Sequence, residues 1–352
     1  VLFIAVVLHE VMETTAGTPR SDGQQARTSL SEAYGRTLVD LGAHQSNIVV
    51  LDADVAKSTR TLHFARAFPD RFFNLGCAEQ NMVAFAAGLA ATGWLPFVST
   101  FATFLSMRAL EQVRQAVALP GLPVIFVVSH AGVSAAPDGA THQAVEDVAI
   151  MRAIPGMTVI APGDAAEVRA VVLELAARPR PCYVRLPKGP VASGLDGFDP
   201  APVVGAARAL RRGTDLTLMS TGDMWPCALE VADQLALEGT EAAVLHLPTL
   251  KPIDVAAIVS APQPIVTLEN HSVIGGLGSA VAEVLSRARP GLVEPVGIDD
   301  RFGESGSGDD LRAALGLDVR SAVRAAHRVL HRSAHQDYSL PVGSAREARN
   351  DT

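Results

Sequence analysis

The stretch Phe72–Arg114 reads FFNLGCAEQNMVAFAAGLAATGWLPFVSTFATFLSMRALEQVR, and the architecture turns on it. Glu79, in Gly76-Cys77-Ala78-Glu79-Gln80-Asn81, opens an almost wholly apolar segment of helical length that runs from Asn81 to Ala91. A carboxylate at a helix start can be explained by the helix dipole alone. The flanking residues here are small and apolar, so a desolvated acid is expected. A buried-type strand, Leu95–Ser99, follows, and then a second helix, 101–119, with Phe101 and Phe104 on one face. An acid beside two aromatic rings can hold a flat heterocycle, with the rings stacking and the carboxylate bonding a ring nitrogen. Two phenylalanines at this spacing serve equally well as core.

Outward from this stretch, apolar runs and helical patterns alternate. Helix 29–41 ends at Gly42, and strand 48–51 ends in Asp52-Ala53-Asp54, followed by helix 57–68. Strand 124–129, helix 144–152, strand 157–161, helix 164–177 and strand 182–186 complete a first series. Pro187 to Pro202 is rich in Pro and Gly and reads as an interdomain linker. A second series follows, with strands at 216–220, 242–247, 265–268 and 293–298 and helices at 226–238, 253–260, 277–287 and 319–331. This rhythm predicts an α/β fold of two domains, each a mostly parallel sheet covered by helices. The expected divisions are a leader and linker at 1–26, a first domain at 27–190, a second at 203–332 and a disordered tail at 333–352. Gly275-Gly276-Leu277-Gly278 allows a phosphate cradle at a helix start, but tight packing is favoured, because the full dinucleotide fingerprint is missing.

Composition narrows the function classes. The 352 residues are 48% hydrophobic and 19% charged, ample for packed cores. Net charge is −8 without a basic cluster, which argues against nucleic acid. The leader VLFIAVVL is too short to span a bilayer and lacks signal-peptide features; with Met12 as an alternative start, residues 1–25 are expected to be dispensable. Cys77, Cys182 and Cys227 have neither metal nor disulfide spacing, and are expected to be reduced, mostly buried thiols of a cytoplasmic protein.

A second chemical cluster lies in Ser129–Gln143, SHAGVSAAPDGATHQ, where a glycine-rich loop presents His130, Asp138 and His142. Imidazoles and a carboxylate on a strand-end loop suit hydroxyl binding or proton transfer. Their separation does not match local metal-ligand pairs.

AEQNM, AAGLAATG and the P-F-V-S-T-F-x-x-F run resemble the pyrimidine-binding domain of the transketolase family, and ENHSVIGGLGSAVAEVL with GIDDRFGESG resembles that family's C-terminal domain. The resemblance covers roughly residues 27–332. It implies thiamine diphosphate as cofactor, with Glu79 bonding the aminopyrimidine and favouring its imino form. Phe101, Phe104 and Met107 would line that ring, and Asp54 would lie near the thiazolium region. D-G-x-T-H-Q resembles the donor-site signature. By that likeness His130 lies by the substrate phosphate, Asp138 and His142 contact the sugar, and Arg185, Ser58 and, more loosely, Arg27 bind phosphate. Many relatives read G-E-D-G where this chain has Ala136-Pro137-Asp138-Gly139, which bears on donor identity.

The family's G-D-G…N motif, which holds Mg²⁺ and the diphosphate, was not found, and none of this chain's residues is assigned to metal. The resemblance therefore implies the C-terminal subunit of a split transketolase. A separate N-terminal subunit would hold Mg²⁺, and the expected assembly is an α2β2 heterotetramer acting on sugar phosphates. The implied reaction is two-carbon ketol transfer from a ketose phosphate to an aldose. The alternatives are subunits like 1-deoxyxylulose-5-phosphate synthase or the 2-oxo acid dehydrogenase β chain, and, from another class, a non-catalytic assembly subunit.

Overall fold

The computed structural model describes residues 27–198 and 204–335. The expected leader at 1–26, linker residues 199–203 and the tail beyond 335 lie outside the described residues. In chain order the strands are β1 (Arg27–Ser29), β2 (Ile48–Asp52), β3 (Phe72–Asn74), β4 (Leu95–Ser99), β5 (Ile125–Val128), β6 (Thr158–Ile160) and β7 (Cys182–Arg185). Then come β8 (Pro190–Ala192), β9 (Arg208–Arg211), β10 (Leu216–Ser220), β11 (Ala242–His246), β12 (Thr249–Lys251), β13 (Ile265–Ser272) and β14 (Val293–Ile298).

The first large sheet has the order β12-β6-β7-β5-β4-β2-β3, and the second β14-β13-β10-β11-β9. All pairings within them are parallel except the edge strands β12 and β9. β2, β4, β5 and β7 are buried along their whole length. That explains their unbroken apolar runs: helices cover both faces, so no polar alternation is needed. Phe97 and Phe126 are fully buried in the layers on opposite faces of this sheet. Each such side chain contributes about 1.5–3 kcal/mol relative to exposure.

Several elements depart from the expected pattern. The first helix continues past Gly42 to His44. Helix 57–68 is broken into Ala56–Thr59 and Leu62–Ala67, because Arg60 adopts a left-handed backbone with φ 66°. The phenylalanine helix is not a regular α-helix. Phe104–Arg108 and Val113–Ala118 are π-helical, a form common near functional sites. The last helix runs Val319–Ala334.

The domains are joined by more than the linker. β12 leaves the second domain to become an edge strand of the first domain's sheet. The buried Glu167 carboxylate takes hydrogen bonds from Arg208 at 3.0 Å and Gly163 N–H at 2.8 Å, and meets His246 at 3.1 Å. The expected strand 265–268 extends to Ser272, which carries Glu269, Asn270 and His271 toward the first domain. Glu269 accepts the N–H groups of Leu277 and Gly278 at 2.6 and 2.8 Å. The glycine turn at 275–278 is thus filled by a side chain of its own domain, in line with the packing reading.

Candidate active site

The parallel strands of the first sheet end at a common edge, where α/β folds place ligands. β2 delivers Asp52–Asp54, β4 delivers Ser99–Phe101, β5 delivers Ser129–His130 and β7 delivers Leu186–Lys188. Backbone bonds tie these ends together: Ala53 N to Ser99 O, Ala102 N to Ser129 O, and Ala131 N to Leu186 O. The sheet order therefore makes neighbours of residues that lie far apart in sequence.

Glu79 is the first residue of helix Glu79–Ala91 and is only 2% exposed. Its carboxylate receives Arg108 at 2.6 Å and the Thr100 hydroxyl at 3.4 Å. The Arg108 guanidinium lies 4.7 Å from the Phe104 ring centroid, so the acid, the cation and the aromatic face form one stack. Phe101 and Phe104 stack on each other at 5.6 Å. Phe101 also lies flat on His130 at 3.7 Å, and Phe104 meets His142 edge-on at 5.3 Å. The two aromatics thus join the two clusters that the sequence kept apart. A buried carboxylate beside half-buried rings fits an aminopyrimidine, a flat ring with hydrogen-bonding edges.

On the loop after β5, His130 has a left-handed backbone, φ 64°, and its Nδ1 meets Ser129 Oγ at 2.9 Å. Burial above all, with the charge of Lys188, pushes its pKa down to about 4. It is therefore a neutral imidazole at pH 7. Asp138 accepts a bond from Lys188 Nζ at 2.5 Å, which holds its carboxyl below the usual range. His130 Nε2 lies 3.8 Å from the same carboxylate. His142 is bonded to Thr141 at 3.0 Å.

Arg185 closes β7 and is buried. It is 5% exposed, and its Nε donates to Asp147 Oδ2 at 2.9 Å. Its terminal nitrogens donate to the carbonyls of Asn270 and Ala144. The guanidinium is thus engaged by buried acceptors of the protein itself. The cation facing the loop is Lys188, three residues further on, which the sequence reading missed. The sign was there: a Leu-Pro turn directly after the strand end carries the next basic residue to the edge. Arg108 was missed as well, although it lies one helical turn beyond Phe104.

The remaining candidates are exposed. Asp54 is exposed and paired with Asn74 at 3.0 Å. Ser58 and Met107 are exposed. Arg27 donates to Pro190 O at 3.0 Å, across the β1–β8 ladder. Asp52 is a buried hub for Val55 N, Thr59 and Thr61, and so a loop anchor. Of the three thiols, Cys182 is buried, Cys227 half-buried and Cys77 exposed.

Residues 26–192 match the model of the transketolase pyrimidine-binding domain, and 205–321 match that of the transketolase C-terminal domain. The chain belongs to the transketolase family. A Methanocaldococcus jannaschii protein, provisionally named transketolase C-terminal section, is 45% identical over 299 residues, 84% of this chain and 94% of that one. The 6-deoxy-6-sulfo-D-fructose transketolase subunit SqwH of a Clostridium species is 42% identical, over 86% of this chain and 95% of that one. A solved structure described as a split gene transketolase, inactive beta4 tetramer, superposes with a TM-score of 0.79 at 44% identity, covering 87% of this chain and 99% of that one. The 1-deoxy-D-xylulose-5-phosphate synthase of Desulforudis audaxviator is 38% identical over 89% of this chain, which matches 49% of that enzyme. Membership of the transketolase family implies dependence on thiamine diphosphate. No helix among the described residues is long and apolar enough to cross a membrane.

Proposed function

We propose that this chain is the pyrimidine-binding subunit of a two-subunit transketolase that moves a two-carbon ketol unit from a ketose phosphate to an aldose. The observation that carries the proposal is the joining of two clusters through Phe101 and Phe104. Glu79 with its aromatic stack lies on one side, and His130, Asp138, His142 and Lys188 lie on the other. Thiamine diphosphate, when bound, supplies the carbanion chemistry at its thiazolium carbon. Glu79 would hold a proton at the pyrimidine nitrogen it bonds. Phe101, Phe104 and Met107 would orient that ring, with Asp54 toward the thiazolium side.

The donor contacts divide by charge. Neutral His130 offers a hydrogen bond, and Lys188 supplies the positive charge that a phosphate requires. Asp138 and His142 are suited to sugar hydroxyls, with Ser58 and Arg27, both exposed, as further donor contacts. A second polypeptide would hold Mg²⁺ and the diphosphate. This partnership is supported by the relatives named as a subunit and as a split gene product, whose lengths this chain nearly spans. Self-association is supported by helix Glu79–Ala91, which is apolar nearly all round yet leaves Ala84, Phe85 and Gly88 exposed.

The test is the reconstituted pair assayed with xylulose 5-phosphate, hydroxypyruvate and pyruvate side by side. Preference for the ketose phosphate is expected, with a raised KM for it alone in Lys188→Ala. A clear preference for pyruvate would favour the deoxyxylulose phosphate synthase reading and sink this one.

A further inference from the structure

The loop carrying His130, Asp138 and His142 belongs to the first domain, yet the second domain grips it at both ends. At its base, Val133 N–H donates to Asn270 Oδ1 at 3.0 Å. Gly132 there has φ 59°, and a Cβ on it would overlap the Asn270 amide. Asn270 is 3% exposed and sits between this loop and Arg185, which donates to its carbonyl. At the tip, the segment between β14 and helix Gly308–Ala314 lies along the loop. Gly306 N–H donates to Ala136 O at 3.1 Å, just before Pro137 and Asp138. Gln143, just after His142, donates its amide to Glu304 O at 3.0 Å. The approach is close enough that a Cβ on Gly303 would overlap Gln143 Oε1, and one on Gly139 would stand 2.6 Å from Ser305 Oγ.

We propose that Asn270 and the segment Gly303–Gly306 form a two-point clamp that aims Asp138 and His142, so that the C-terminal domain takes part in donor selection. The two grips bracket the residues that would contact sugar, and neither grip touches the Glu79 cluster. Asn270, Gly303, Ser305 and Gly306 are positioning residues: they act through the loop and leave the reacting atoms to others. A displacement of the order of 1 Å at a positioned group can cost roughly 10²-fold in rate, so a small shift of this loop is enough to alter the choice of donor. The proposal rests on the ketol-transfer reading for its kinetic arm only.

Two variants of the segment test it, Gly303→Ala at a half-buried position and Ser305→Leu at an exposed one, where change is tolerated without loss of the fold. Amide hydrogen exchange on the full chain requires no turnover. Faster exchange is expected, by about 10-fold, across residues 133–143, with β5 amides unchanged; general destabilisation would speed both. In the reconstituted pair, the kcat/KM ratio of xylulose 5-phosphate over hydroxypyruvate should fall about 10-fold, mainly through KM. Wild-type exchange in the loop of both variants overturns the clamp. Faster loop exchange with an unaltered donor ratio overturns its role in selection. A wild-type pair that transfers no ketol unit from any donor removes the proposed function, and the exchange result then decides the clamp alone.

Discussion

Arg108 holds the Glu79 carboxylate at 2.6 Å while lying over the Phe104 ring, so this buried acid has its countercharge on a half-exposed residue. A buried carboxylate without a partner is costly, and Arg108 answers that cost from a side chain that is itself half in solvent.

Removing Arg108 should therefore destabilise the chain through Glu79. Arg108→Met is expected to lower stability by about 1–3 kcal/mol at pH 7, the penalty for leaving a buried acceptor unpaired. In Glu79→Gln the same substitution should cost markedly less, because no charge is left behind. Thermal or urea melts of both single variants and the double decide this. Additive losses would mean that the pair does not act as a unit.

Arg185 and Lys188 should separate stability from binding. Arg185 and Asp147 are 5% and 0% exposed, and breaking such a pair typically costs about 3–5 kcal/mol. Arg185→Ala should thus give a poorly stable chain. The Lys188–Asp138 pair is solvent-exposed and worth roughly 0–1 kcal/mol. Lys188→Ala should melt like wild type but bind phosphorylated donors more weakly. The reverse outcome, with a robust Arg185→Ala chain impaired only toward phosphate, would assign phosphate binding to Arg185 instead.

Acid should act through two buried histidines. Burial, with the charges of Lys188 and Arg185 respectively, pushes His130 and His271 down to about 4. Both are near 6.5 in the unfolded chain, so that state binds more protons between pH 6.5 and 4. Their contribution is complete above pH 6.5 and is lost as pH falls toward 4. His130→Gln should flatten the loss of unfolding free energy in that window. A pH–stability slope equal to wild type would show that His130 titrates normally.

The fold was legible because its signals are local. Apolar runs bounded by Gly and Pro marked the central strands, and small apolar residues after Glu79 marked its burial. What escaped is set by distance or by partners. β12 lies in the second domain's sequence but pairs with β6 of the first. The β1–β8 ladder joins Arg27 to Ala192 across the whole first domain. Arg60 breaks a helix that its own sequence favours, at the left-handed turn whose loop Asp52 pins. Arg185 follows its strand in the expected way, but the acceptors that meet it, Asp147 and Asn270, come from other elements.

The central claim is that Glu79 activates thiamine diphosphate from this subunit. The most direct measurement is hydrogen–deuterium exchange at C2 of the cofactor bound to the reconstituted pair, comparing wild type with Glu79→Gln. Gln keeps a hydrogen bond but not the negative charge, and proton-transfer contributions of this kind are about 10²–10⁴-fold. A slowing of that size, with the variant melting close to wild type, is predicted. An exchange rate unchanged by the substitution would contradict the account.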